Sequence, residues 1–235
     1  MELATCTIDQ SICTIILDDG KANAMSTRMI EQISAALDRA AAAQATVIIT
    51  GRAGVFSGGF DLGVFKAGGE GIVEMLSAGA ALTERMLSFP LPIVIACSGH
   101  AMAMGLFVVL CGDYRIGVAD ETRILRANEV AIGLTMPLFA VEVLRQRLTP
   151  SAFNRAAITA EAFIGQSAVA AGCLDEIVPA TELLARAQQK ARELASLNLT
   201  AHAATKLRCR APTLAAMQAA KPADLADWKR GVGPR

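Results

Sequence analysis

The sequence predicts an α/β core followed by a helical C-terminal region. Three observations lead there. Short apolar runs rich in Val and Ile alternate with stretches of helical period, glycine turns separate many of them, and from residue 181 the composition shifts to Ala, Leu, Gln, Lys and Arg with no further strand pattern. We expect a core over residues 1–180 and a helical region over 181–235.

Residues 3–8 and 12–17 alternate Thr, Cys and Ile around Asp9-Gln10, the pattern of a β-hairpin. Ser26 is placed to cap a helix through Ala43, with apolar positions at 29, 30, 33, 36 and 37. Val47-Ile48-Ile49-Thr50 reads as a short buried strand, and a glycine-rich loop then opens into a short helix. Residues 70–88 are helical. Residues 92–96 form a second buried strand, followed by Gly99 and an apolar helix near 103–111. Residues 114–118 and 174–178 are further strands.

Composition removes several functions. The 235 residues carry 22 basic and 22 acidic side chains, so no basic excess points to nucleic acid or an anionic membrane. Six cysteines form no CxxC pair and only two histidines exist, which leaves no zinc spacing and no expected metal. Cysteines in apolar surroundings suit a reducing compartment, and the N-terminus lacks the signature of a signal peptide, so a cytoplasmic protein is expected. The nearly uncharged stretch 91–112 is long enough to cross a bilayer, but Pro92, Ser98, Gly99 and His100 interrupt it. A strand, a turn and a buried helix explain it better.

Chemistry can sit where two strands run into glycine-bearing turns, at Gly58-Gly59 and between Gly99 and Gly105. A strand-to-helix turn leaves backbone N–H groups free, and two such turns side by side can aim two donors at one oxyanion. Neither turn carries a nucleotide-binding glycine motif. Ser57 lacks the GxSxG context of a nucleophile, Asp61 is placed to cap the next helix, and His100 reads as a satisfied core histidine.

These residues carry a resemblance. Phe56-Ser57-Gly58-Gly59-Phe60-Asp61-Leu62 resembles the first oxyanion-hole segment of the crotonase (enoyl-CoA hydratase/isomerase) superfamily. Gly99-His100-Ala101-Met102-Ala103-Met104-Gly105, with Asp113-Tyr114-Arg115 after it, resembles the second. Asn128-Glu129-Val130-Ala131-Ile132-Gly133 resembles the segment with the second catalytic glutamate, and Lys21-Ala22-Asn23-Ala24-Met25 the segment near the coenzyme A arm. The match is clear over residues 5–180.

The resemblance implies a β-β-α spiral core, a helical C-terminal trimerisation region, and a homotrimer or dimer of trimers. It implies an acyl-CoA thioester as substrate, with coenzyme A belonging to the substrate and no separate cofactor. It makes Phe60 and Met104 the two backbone donors and Glu129 the acid/base. Lys21, Ala22, Asn23, Gly58, Gly59, Asp61, Leu62, Gly105 and Phe107 are the expected substrate-binding positions, and Met102 and Met104 are candidates to line the pocket. Lys21, Arg52 and Lys66 are candidate partners of coenzyme A phosphates. One departure matters: the family's hydratases have a second glutamate where this chain has Phe107. A single carboxylate is similar to the Δ3-Δ2 enoyl-CoA isomerases, so isomerisation is the expected reaction. A hydratase-like or thioester-hydrolysing enzyme and a non-catalytic acyl-CoA-binding oligomer remain the alternatives.

Overall fold

A computed structural model describes residues 2–231. The hairpin is present: β1 (Ala4–Asp9) and β2 (Ile12–Leu17) pair antiparallel. Helix α1 (Thr27–Ala42) starts where expected, with the Ser26 side chain accepting from the Met29 N–H. Then come β3 (Thr46–Gly51), β4 (Gly54–Ser57), α2 (Leu62–Ala67) and α3 (Glu70–Ser88). Strands β5 (Ile93–Cys97) and β6 (Gly99–Met102) lead into α4 (Met104–Leu110). Strands β7 (Tyr114–Val118) and β8 (Leu125–Arg126) precede a 3-10 turn, Val130–Ile132. The rest is α5 (Leu138–Arg145), α6 (Pro150–Thr159), β9 (Ala162–Phe163), α7 (Gly165–Ala171), β10 (Glu176–Val178), α8 (Leu183–Ala195) and α9 (Leu199–Arg230).

Two sheets organise these elements. The larger has the order β1-β2-β3-β5-β7-β10, parallel from β2 onward. The smaller has the order β4-β6-β8-β9. Successive strands of the large sheet each run on into a strand of the small one: β3 into β4, β5 into β6, β7 into β8. This is the expected β-β-α spiral. It also corrects the sequence reading at one level, because 54–57 and 99–102 were expected as glycine turns and are paired strands. Gly54 lies opposite Gly99, and Ser57 opposite Ala101.

The central strands of the large sheet are buried on both faces. Isoleucines and valines on one face join α1, α3 and α4 in the main core. Ile48, Val94, Ala96 and Ile116 on the other are covered by Leu183, Ala187 and Ala191 of α8. The helical region after 181 therefore divides: α8 forms a layer on the sheet, and α9 packs across α3 and α5. Residues 91–112 form β5, β6 and α4, and no described helix is long and apolar enough to cross a membrane.

Candidate active site

Strands β4 and β6 are parallel neighbours, so the turns that follow them lie side by side. Their approach is close enough to demand glycine. Gly59 has φ +94°, and a Cβ there would meet the Ala103 Cβ and the Met102 carbonyl at 2.9 Å. A Cβ at Gly105 would lie 2.6 Å from the Ser57 carbonyl oxygen.

The first turn is braced from behind. The Gly58 N–H donates to the Ala22 carbonyl at 2.7 Å, the Met25 N–H to the Gly59 carbonyl, and the Gly59 N–H to Ser57 Oγ. Ser57 Oγ itself donates to the Asn23 carbonyl, a scaffold role and not a nucleophile's. The Asp61 side chain caps α2 by accepting from the Gly63 N–H. Among the described residues these bonds leave the Phe60 N–H without an acceptor.

In the second turn the Ala103 N–H donates to the Arg126 carbonyl, and α4 begins at Met104, whose N–H is one of the helix's orphan donors. Met104 has ordinary helical backbone. The irregular conformation falls one residue earlier, on Ala103, at φ +47° and ψ −121°.

Both turns border an apolar cavity of about 150 Å³. Gly58, Phe60, Leu62 and Phe65 line it from the first turn and α2, and Ala103 from the second turn. Asn128 and Glu129 also line it, with Leu134, Pro137 and Trp228. Glu129 starts the 3-10 turn and is 6% exposed. Among the described residues its buried Oε2 has no hydrogen-bond partner, and burial raises its pKa to about 7. The cause is desolvation, which penalises the charged form.

Several expected substrate contacts are packed behind the cavity instead. The Asn23 side chain is fully buried and spent on backbone: Nδ2 donates to the carbonyls of Leu17 and Phe56, and Oδ1 accepts from the Asp19 N–H. Gly105 sits inside α4 against Ser57. Phe107 is fully buried, edge-on to Phe139 with ring centroids 6.1 Å apart. Neither Met102 nor Met104 lines the cavity; the Met104 side chain is core. Lys21, Ala22 and Gly58 are exposed beside the first turn, Lys66 is exposed on α2, and Arg52 is half-buried.

Several lining residues escaped the sequence reading, among them Asn128, Phe65, Leu76 and Trp228. Asn128 adjoins Glu129 in the quoted segment but received no role, although its Oδ1 is also buried without a partner. Phe65 and Leu76 are ordinary apolar positions of α2 and α3. Trp228 comes from the far end of α9, a hundred residues beyond Glu129 in sequence, and carries no local signal.

A family model described as enoyl-CoA hydratase/isomerase matches residues 7–226. The chain belongs to the enoyl-CoA hydratase/isomerase family. Two solved structures from Mycobacterium tuberculosis, one called an enoyl-CoA isomerase and one a probable enoyl-CoA hydratase, are 44% and 43% identical to it. Their TM-scores are 0.91 and 0.94, over 95% and 97% of this chain and 98% and 97% of theirs. A probable enoyl-CoA hydratase of Bacillus subtilis is 32% identical over 144 residues, 60% of this chain and 55% of that protein, so the chain spans about half the length of this curated relative. Family membership is thus settled, while the relatives carry both reaction names.

Proposed function

We propose that the protein isomerises a 3-enoyl-CoA to the 2-enoyl-CoA, with Glu129 as the single acid/base. The observation that carries this is that Glu129 is the one carboxylate side chain among the described residues lining the cavity. Glu129 faces the cavity with an unpartnered oxygen, and the position where a second carboxylate would stand is Phe107, buried on Phe139. Hydration needs a water held between an acid and a base, and Phe107 can serve as neither.

In this reading the thioester oxygen lies at the Phe60 and Met104 N–H groups. The Glu129 carboxylate takes a proton from C2, and the C–H electron pair passes into a dienolate whose oxygen the two donors stabilise. The same carboxyl returns the proton at C4, leaving the double bond between C2 and C3. A donor of this kind contributes about 10²–10³ in rate. A base with a pKa near 7 is half ionised at neutral pH, which suits it to give back what it takes. Lys21, Ala22 and Gly58 form the exposed approach for the coenzyme A arm. A homotrimer or dimer of trimers completes the reading, supported by exposed apolar side chains on the helical surface, Ile158, Leu197 and Leu207 among them; light scattering at micromolar concentration tests it.

The decisive comparison is kinetic. Isomerisation of 3-hexenoyl-CoA should exceed hydration of crotonyl-CoA by at least about 10²-fold. Hydration as fast as isomerisation would overturn the assignment.

A further inference from the structure

Trp228 occupies an unusual place. Trp228 lines the Glu129 cavity, about 150 Å³, and also a second cavity of about 430 Å³. The two also share Leu134, Thr135 and Pro137, so the two spaces adjoin at Trp228. The inner space is apolar. The outer one is lined by Asp224, Asp227 and Arg230.

Trp228 is held in place by two devices. The Trp228 ring meets Phe139 edge-on at 6.2 Å, and Phe139 meets Phe107 in the same way, so three aromatic rings run from the position of the missing carboxylate to the cavity wall. One turn earlier in α9, Asp224 is 3% exposed and accepts from the N–H groups of Leu138 and Phe139 at 2.8 and 3.0 Å. This carboxylate caps the N-terminus of α5, which has no side-chain cap of its own. It fixes the end of α9 against the helix beside the cavity.

We propose that Trp228 is the specificity-determining residue for acyl-chain length, with Asp224 as its positioning residue. With the indole in place the inner cavity has room for roughly five groups the size of a water, taking about 30 Å³ each. Chains up to about six carbons fit, and longer ones meet the ring. Removing the ring joins the inner cavity to the outer one and opens a path for a longer chain. The proposal rests on the cavity beside Glu129 being the acyl site, but not on which reaction occurs there.

The test measures binding and turnover across saturated and 3-enoyl acyl-CoAs of four to twelve carbons. In the unmodified protein, affinity should rise with length to about six carbons and then level off or fall. Trp228→Ala should continue to gain roughly fourfold per added methylene, moving the twelve-to-six-carbon ratio in affinity and in kcat/KM by at least tenfold. Trp228→Phe should fall between them, and Asp224→Asn should shift the profile in the same direction by less. Binding of saturated acyl-CoA needs no proton transfer, so its length profile stands even if isomerisation fails. An unchanged profile in both Trp228→Ala and Trp228→Phe overturns the proposal. If Trp228→Ala does not fold, Trp228→Phe and Asp224→Asn decide it alone.

Discussion

Two acidic side chains near the two ends of the second turn-and-helix segment have opposite fates. Asp113 follows α4 and has every oxygen engaged: Oδ2 accepts from the Ile93 N–H and from Lys206 Nζ at 2.7 Å, and Oδ1 pairs with Arg210 at 2.8 Å. Lys206 and Arg210 also donate to the Leu91 and Leu87 carbonyls, so the cluster fastens α9 to the core. Glu129 is buried more deeply, at 6% exposed where Asp113 is half-buried, but among the described residues one of its oxygens has nothing to accept from. Satisfied acidity holds the fold together; unsatisfied acidity is available for chemistry. Partner count separates the two cases.

The largest effect separating them is catalytic. Glu129→Gln keeps the shape and loses the basicity, and isomerisation should fall by at least about 10²–10⁴-fold, while acyl-CoA affinity changes little by titration calorimetry. Asp113→Asn should leave turnover per folded molecule nearly unchanged.

The next effect is on stability, and its sign differs between the two. The Glu129 pKa rises from 4.5 unfolded to about 7 folded. Its contribution to stability is therefore fully present below pH 4.5 and lost as pH rises through 7, by about 3 kcal/mol in total. Glu129→Gln lacks that loss. In denaturant titrations the unmodified protein should weaken relative to this variant between pH 5 and pH 8, and kcat/KM should rise over the same range with an inflection near 7. Asp113→Asn leaves two buried cations with less than they need, and should cost about 3 kcal/mol or about 10 °C in Tm. An Asp113→Asn protein as stable as the original would remove the contrast.

The smallest effect concerns the second turn itself. Ala103 sits at positive φ, a conformation that costs an alanine about 1 kcal/mol or more. Glycine relieves this and loses about 0.5–1 kcal/mol in chain entropy. Ala103→Gly should be within about 1 kcal/mol of neutral in thermal unfolding and fully active.

The residues read from the sequence as reactive and those that close the cavity are encoded differently. Phe60, Met104 and Glu129 sit in local motifs where turn chemistry and spacing act over a few residues. The small sheet was hidden because β4 and β6 are four residues each and begin with the glycines that let them change sheets, so they read as turns. Asn23 was legible as important but not as a brace, since its side chain's four backbone partners come from two other segments. The working face of α9 defeated the reading most fully. Its buried residues are Lys206, Arg210, Met217, Asp224 and Trp228, mostly charged, so hydrophobic period carries no signal there. Pro212 and Pro222 lie inside the helix where a break would be expected. That helix supplies both the cluster around Asp113 and the Trp228 wall of the cavity, which only tertiary packing creates.

The central claim is that Glu129 removes a C2 proton from a bound thioester. Deuterium incorporation at C2 of a saturated acyl-CoA, followed by NMR in heavy water, reads that step without any isomerisation or hydration. The account predicts steady exchange with the unmodified protein and none above background with Glu129→Gln, which still binds the thioester. Exchange at an undiminished rate in Glu129→Gln, or none in an unmodified protein that binds acyl-CoA, would contradict it.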